Sequence, residues 1–144
     1  SLGKEFPSLC SWMIMSRIYP IRAPMEIKQG DIHWVRIHSP HRTPSDIIHP
    51  QVVIQVNEHN QTIVVCALTT NMRQAKSPGN VLLEAGEASL PKRSIVVVSQ
   101  VFTVDKTQVG EYIGTLSQQR VHQIRAGMRF VQLMSRHHET DKKK

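Results

Sequence analysis

The sequence predicts a mainly β fold with α: a small β-barrel with one C-terminal helix. Three observations lead there. Short β-branched runs follow one another closely from Gly30 to Val104, with no helical crossovers between them. Helical spacing dominates in a single long segment, Ser117 to about Ser135. A chain of 144 residues has room for one domain with a real core.

The chain divides into three parts. Residues 1–24 contain Pro7, Pro20 and Pro24 and no clean period. They read as an N-terminal extension, either an added segment or a misassigned start. Residues 25–135 read as the domain, and 136–144 as a polar C-terminal tail.

Gly30-Asp31-Ile32-His33-Trp34-Val35 reads as the first strand, and Pro50-Gln51-Val52-Val53-Ile54-Gln55 as a second, buried one. The intervening loop holds His38, His41, Arg42, Thr43, Ser45, Asp46 and His49. Groups that handle protons and phosphates are thus held between two stiff supports. The second strand turns at Asn57-Glu58-His59-Asn60-Gln61 into a third, Thr62–Leu68, which makes a hairpin. Val81-Leu82-Leu83 is a short strand. Ser94 to Val104 is a long, bent one, rich in β-branched residues.

In the helix, Val121, Ile124, Met128 and Val131 form an apolar stripe suited to cover the open side of the barrel. Ser117 is its expected N-cap. Gly127 costs about 1 kcal/mol against alanine there, so close packing is expected around it. Trp34 and Phe102 are expected in the core, which leaves few aromatic platforms for base stacking.

The chain carries 18 Lys and Arg against 11 Asp and Glu, a net charge of +7. That balance suits RNA, DNA or an acidic peptide as partner. Two cysteines, Cys10 and Cys66, do not make a disulfide framework, and Cys66 sits in an apolar run as a small core residue. A reducing cytoplasm is therefore expected. No apolar run is long enough to span a bilayer. The histidines lack metal-ligand spacing, and no cofactor is expected.

Further segments follow in a characteristic order: Ala67-Leu68-Thr69-Thr70-Asn71, Ser77-Pro78-Gly79-Asn80-Val81, Leu90-Pro91-Lys92-Arg93-Ser94, Ser99 to Lys106, and Ile113-Gly114-Thr115-Leu116. With these in register, the chain from Gly30 to about Val131 resembles the MazF/PemK family of toxin endoribonucleases from bacterial toxin–antitoxin pairs. The resemblance implies an SH3-like or CcdB-like barrel working as a homodimer. It implies metal-independent, sequence-selective cleavage of single-stranded RNA. It also implies an antitoxin whose acidic, disordered tail competes for the basic groove.

RNA is cut without a metal when its 2′-OH attacks the neighbouring phosphate, which leaves a 2′,3′-cyclic phosphate and a 5′-OH. The resemblance maps the site onto Arg42 and Thr69. Arg42 in Pro40-His41-Arg42-Thr43 matches the family's loop arginine, with Thr43 where the family typically has glycine. Ile48-His49-Pro50 stands where Arg-Arg-Pro is common. The Arg42 guanidinium suits charge stabilisation on the phosphorane better than proton transfer. Imidazole side chains suit proton transfer better, and of His41 and His49 the first is expected to assist it. The Thr69 hydroxyl can orient the 2′-OH or the phosphate. His49, Thr70, Asn71, Arg73, Lys76 and Gln100 are the expected RNA contacts. Arg93 stands where an acid is often found, which implies loss of a surface ion pair. Two other readings use the same chain: a non-catalytic CcdB-like toxin that binds DNA gyrase or another partner, and a general small-barrel nucleic-acid binder. A pure binder has no need of the Arg42–Thr69 pair.

Overall fold

The computed structural model describes residues 26–37 and 47–142. The strands are β1 (Asp31–Ile37), β2 (Ile47–Asn57), β3 (Thr62–Thr69), β4 (Val81–Leu83), β5 (Ser94–Asp105) and β6 (Val109–Thr115). One helix follows, α1 (Gln118–Lys142). The strands form one antiparallel sheet in the order β4-β5-β3-β2-β1-β6.

The mainly β class with a C-terminal helix is as expected, but among the described residues the barrel does not close by hydrogen bonding. β4 and β6 stand at opposite ends of the strand order. β4 has three residues and runs into a strained turn, Glu87–Ser89. Ala88 and Ser89 there have φ of 50° and 63°, in the left-handed region that side chains disfavour. The turn still reaches β6. Gly114 lies so close to the Ala88 carbonyl that a Cβ would collide with it. Glu87 is gripped by Arg120 of α1 through Nε at 2.6 Å and a terminal nitrogen at 3.1 Å. Backbone contact and an ion pair thus bridge the gap that a ladder would have closed.

The period of two along the strands explains two cores. Ile32, Val52, Ile54, Cys66, Leu68, Val96 and Val98 face one side, where Ile124 and Leu116 cover them. Val35, Val53, Ile63, Val65 and Val104 face the other, with Phe102 packed half-buried against them. β2 is therefore buried on both faces, which accounts for its unbroken apolar run. Trp34 and Cys66 are buried, as expected. Burial pushes the Cys66 thiol up to about 12, while the Ala67 backbone hydrogen bond opposes this only in part.

Sequence reading named the Ile113–Leu116 motif without recognising that a strand runs through it. β6 lacks a continuous apolar run, because its burial comes from the neighbouring turn rather than from its own sequence. Ser117 caps α1 as expected, its Oγ accepting from Arg120 N at 3.2 Å. The helix runs on past Ser135 to Lys142. Gly127 marks the expected close approach: a Cβ there would collide with the Gly79 carbonyl. Arg93 forms an exposed ion pair with Glu84 at 3.7 Å, so the missing acid does not leave it unpaired.

Candidate active site at one end of the sheet

Antiparallel pairing sets the described part of the predicted site at one end of the sheet. β1 ends, β2 begins and β3 ends at the same edge of the sheet. Ile37 pairs with Ile47, so the loop 38–46 springs from a single rung. Arg42 and His41 belong to that loop and lie outside the described residues, as does any contact they make. His49 follows the rung on β2, opposite Val35, and its side chain is exposed. β3 joins β2 only from Gln51, opposite Ala67. The stretch Ile47–Pro50 therefore pairs with β1 alone, which suits Pro50, a residue with no N–H to give.

Thr69 is the last residue of β3, opposite Ile95 of β5, and is half-buried. Its Oγ1 accepts from Asn71 N at 3.1 Å. Asn71 Oδ1 in turn accepts from Arg73 N at 3.1 Å and caps the short 3-10 turn Met72–Lys76. Thr69, Thr70, Asn71, Arg73 and Lys76 are thus one local unit. All but Thr69 are exposed. The threonine hydroxyl keeps its own proton free to donate, because the Asn71 contact uses it as acceptor.

Gln100 is exposed within a wide irregularity of β5. Cys66 pairs with Val101 while the next residue, Ala67, pairs with Val97, so Val98, Ser99 and Gln100 bulge out. Bulges re-aim side chains and recur beside functional sites. This one leaves Val98 N without a ladder partner, and Asn80 Oδ1 accepts from it at 3.0 Å. Asn80 Nδ2 also donates to Gln74 O at 2.8 Å. One side chain thereby ties the Arg73–Lys76 turn to the Gln100 bulge. Sequence reading placed Asn80 in a motif but gave it no role. Its signal, an asparagine after Pro-Gly, fits a turn equally well.

Among the described residues, no group of three or more His, Cys, Asp or Glu could hold a metal ion. No described helix is long and apolar enough to cross a membrane. The assembled edge therefore offers a hydroxyl, an amide and exposed cations beside the root of an arginine-bearing loop. Such a set can bind and orient a phosphodiester.

Several known proteins resemble this chain in sequence and fold. Residues 28–131 match the sequence model of a family described as the PemK-like, MazF-like toxin of type II toxin–antitoxin systems. An endoribonuclease MazF2 of Mycobacterium bovis is 30% identical over 111 residues, which cover 74% of this chain and 97% of that protein. An endoribonuclease MazF of Staphylococcus saprophyticus is 27% identical over 101 residues, 68% of this chain and 84% of its own. Among solved structures, MazF from Deinococcus radiodurans superposes with a TM-score of 0.57 at 14% identity, covering 74% of this chain and 97% of that one. A mycobacterial endoribonuclease in complex with its cognate antitoxin gives 0.54 at 19% identity, covering 74% and 91%. At those identities the structures speak for the fold alone.

Proposed function

Because the chain belongs to the PemK-like, MazF-like toxin family of type II toxin–antitoxin systems, we propose that it is an endoribonuclease that cuts single-stranded RNA and is silenced by a cognate antitoxin. The observation that carries the reading is the shared edge: Thr69, His49 and the root of the Arg42 loop come together at one end of the sheet. The endoribonuclease name of the curated relatives favours catalysis over the binding-only alternative.

In this reading Arg42 stabilises the charge that develops on the scissile phosphate. Thr69 donates to a phosphate oxygen or orients the 2′-OH. His41 assists proton transfer, and His49 contacts the RNA. The 2′-OH attacks the phosphate, the 5′ oxygen leaves with a proton, and a 2′,3′-cyclic phosphate remains. No metal takes part. Thr70, Asn71, Arg73, Lys76 and Gln100 hold the flanking nucleotides. The protein acts as a homodimer in the cytoplasm; the exposed apolar residues Phe130, Leu133 and Met134 of α1 support self-association. The antitoxin's acidic tail competes with RNA for the basic edge.

The test uses a long defined RNA in EDTA, with wild type, Arg42→Ala and Thr69→Ala purified identically. Recurrent cuts at a short motif, 5′-OH ends and loss in both variants are expected. No cutting by wild type, or equal cutting by all three, would overturn the reading.

A further inference from the structure

Helix α1 shows three faces to its surroundings. At ~100° per residue, Ile124, Gly127, Met128 and Val131 turn toward the sheet and the Gly79 loop, in keeping with their burial and contacts. Phe130, Leu133 and Met134 form an exposed apolar face. The third face carries His122, Arg125, Arg129 and Arg136, spaced three, four and seven residues apart and all exposed. The sequence from Tyr112 to His138 contains no acidic residue. Arg120, which lies elsewhere on the wheel, is the arginine of α1 that grips Glu87. Glu87 is thus spent on Arg120 and does not neutralise the third face.

The geometry points to a second RNA contact: we propose that Arg125 and Arg129 bind the phosphate backbone of single-stranded RNA outside the cleavage site. This inference rests on the reading that RNA is the substrate. The face adjoins Val121, which packs against Gly30, whereas the Thr69–Lys76 unit leads into the Gly79 loop on the other flank of the helix. The track is therefore distinct from the Thr69–Lys76 unit. Arg125 and Arg129 lie one turn apart, roughly 6 Å along the axis, and the face continues for about 21 Å from His122 to Arg136. A partner must offer negative charge repeatedly over that length. A phosphodiester chain does so at every nucleotide, while a protein segment needs acids at matched intervals. Guanidinium forks fit phosphate oxygens.

The test compares wild type with Arg125→Gln/Arg129→Gln in binding a long and a short 2′-O-methyl oligoribonucleotide, which resists 2′-OH attack, across a salt series. Unchanged melting temperature establishes that the variant is folded. The expected result is confined to the long oligomer. Its salt slope falls by about 1.4 for two lost contacts, at about 0.7 per contact for single strands. Over a fourfold change in salt that slope difference amounts to roughly a sevenfold change in relative affinity. Cleavage of a short RNA containing the motif stays at the wild-type rate. An unchanged slope on the long oligomer would overturn the proposal. So would equal loss on short and long oligomers, since the arginines would then belong to the primary site. Loss of polyglutamate binding with intact RNA binding would assign the face to an acidic protein instead. If wild type binds the long oligomer through this face yet cuts no RNA, the catalytic reading fails and the track stands.

Discussion

The edge that carries Thr69 and the side that carries Gly114 and Gly127 are built from opposite materials. At the Thr69 edge, polar side chains are held by single hydrogen bonds to backbone, from Asn71 N to the half-buried Thr69 and from Arg73 N to the exposed Asn71. On the other side, backbone meets backbone: Gly114 against Ala88, and Gly127 against Gly79. A two-pronged ion pair, Glu87–Arg120, fastens the same region. The first arrangement leaves donors free for a ligand and contributes little to stability. The second uses close contact to hold an unclosed sheet in shape. Function and stability should therefore separate by region, and substitutions can test that separation.

The largest effect is expected at the polar edge. Thr69→Val keeps the strand-forming shape but removes the hydroxyl, and cleavage should fall by roughly 10²–10³. Its denaturant midpoint should move little. A large loss of stability with activity retained per folded molecule would erase the contrast. Gly127→Ala should do the reverse. The helix would gain about 1 kcal/mol in propensity, but the collision with Gly79 backbone, at up to about 3 kcal/mol, outweighs this, for a net loss of about 1–2 kcal/mol. Urea unfolding measures it, and a stabilised variant would show the Gly79 loop to be free to retreat.

Asn80→Ala sharpens the comparison, because Asn80 joins the site turn to the fold. It should cost about 1–3 kcal/mol by stranding Val98 N, while Gln74 O keeps its bond from Ser77 N. Cleavage should also weaken, unlike in the glycine variant. Wild-type kinetics would separate the bulge from the site.

Glu87→Gln should cost about 1 kcal/mol. Burial pushes this carboxyl up, but Arg120 and the Glu84 backbone outweigh it and hold the group below its ordinary value of 4.5. A depressed carboxylate stabilises the fold above its unfolded pKa. That contribution disappears as pH falls through the lower, folded value. Melting temperature against acid pH should thus fall more steeply for wild type than for the variant. The smallest effect concerns Cys66. In a Cys10→Ser background, the buried thiol should resist alkylation at neutral pH until the protein unfolds.

Much of this was legible in the chain. The β-branched runs marked β1, β2, β3 and β5, and the stripe from Val121 to Val131 marked the covering face of α1, because both follow from local periodicity. Gly127 announced close packing through its propensity cost alone. Thr69, Thr70 and Asn71 were singled out by their place in an ordered motif rather than by any chemistry of their own, since a threonine ending a strand is ordinary.

What the sequence determined by itself was therefore local: which segments extend, which one coils, where the charge lies and which side chains bear chemistry. Only the tertiary structure decided the rest. Ladder register placed His49 and Thr69 at one edge, and a three-residue bulge turned Gln100 outward. Asn80 became a tether because that bulge freed a distant N–H. β6 acquired burial from a turn far away in the chain, and the short β4 left the barrel open. Periodicity records each residue's relation to its near neighbours. Pairing, bulges and orphaned backbone groups depend on which distant strand arrives beside it, and no local pattern contains that.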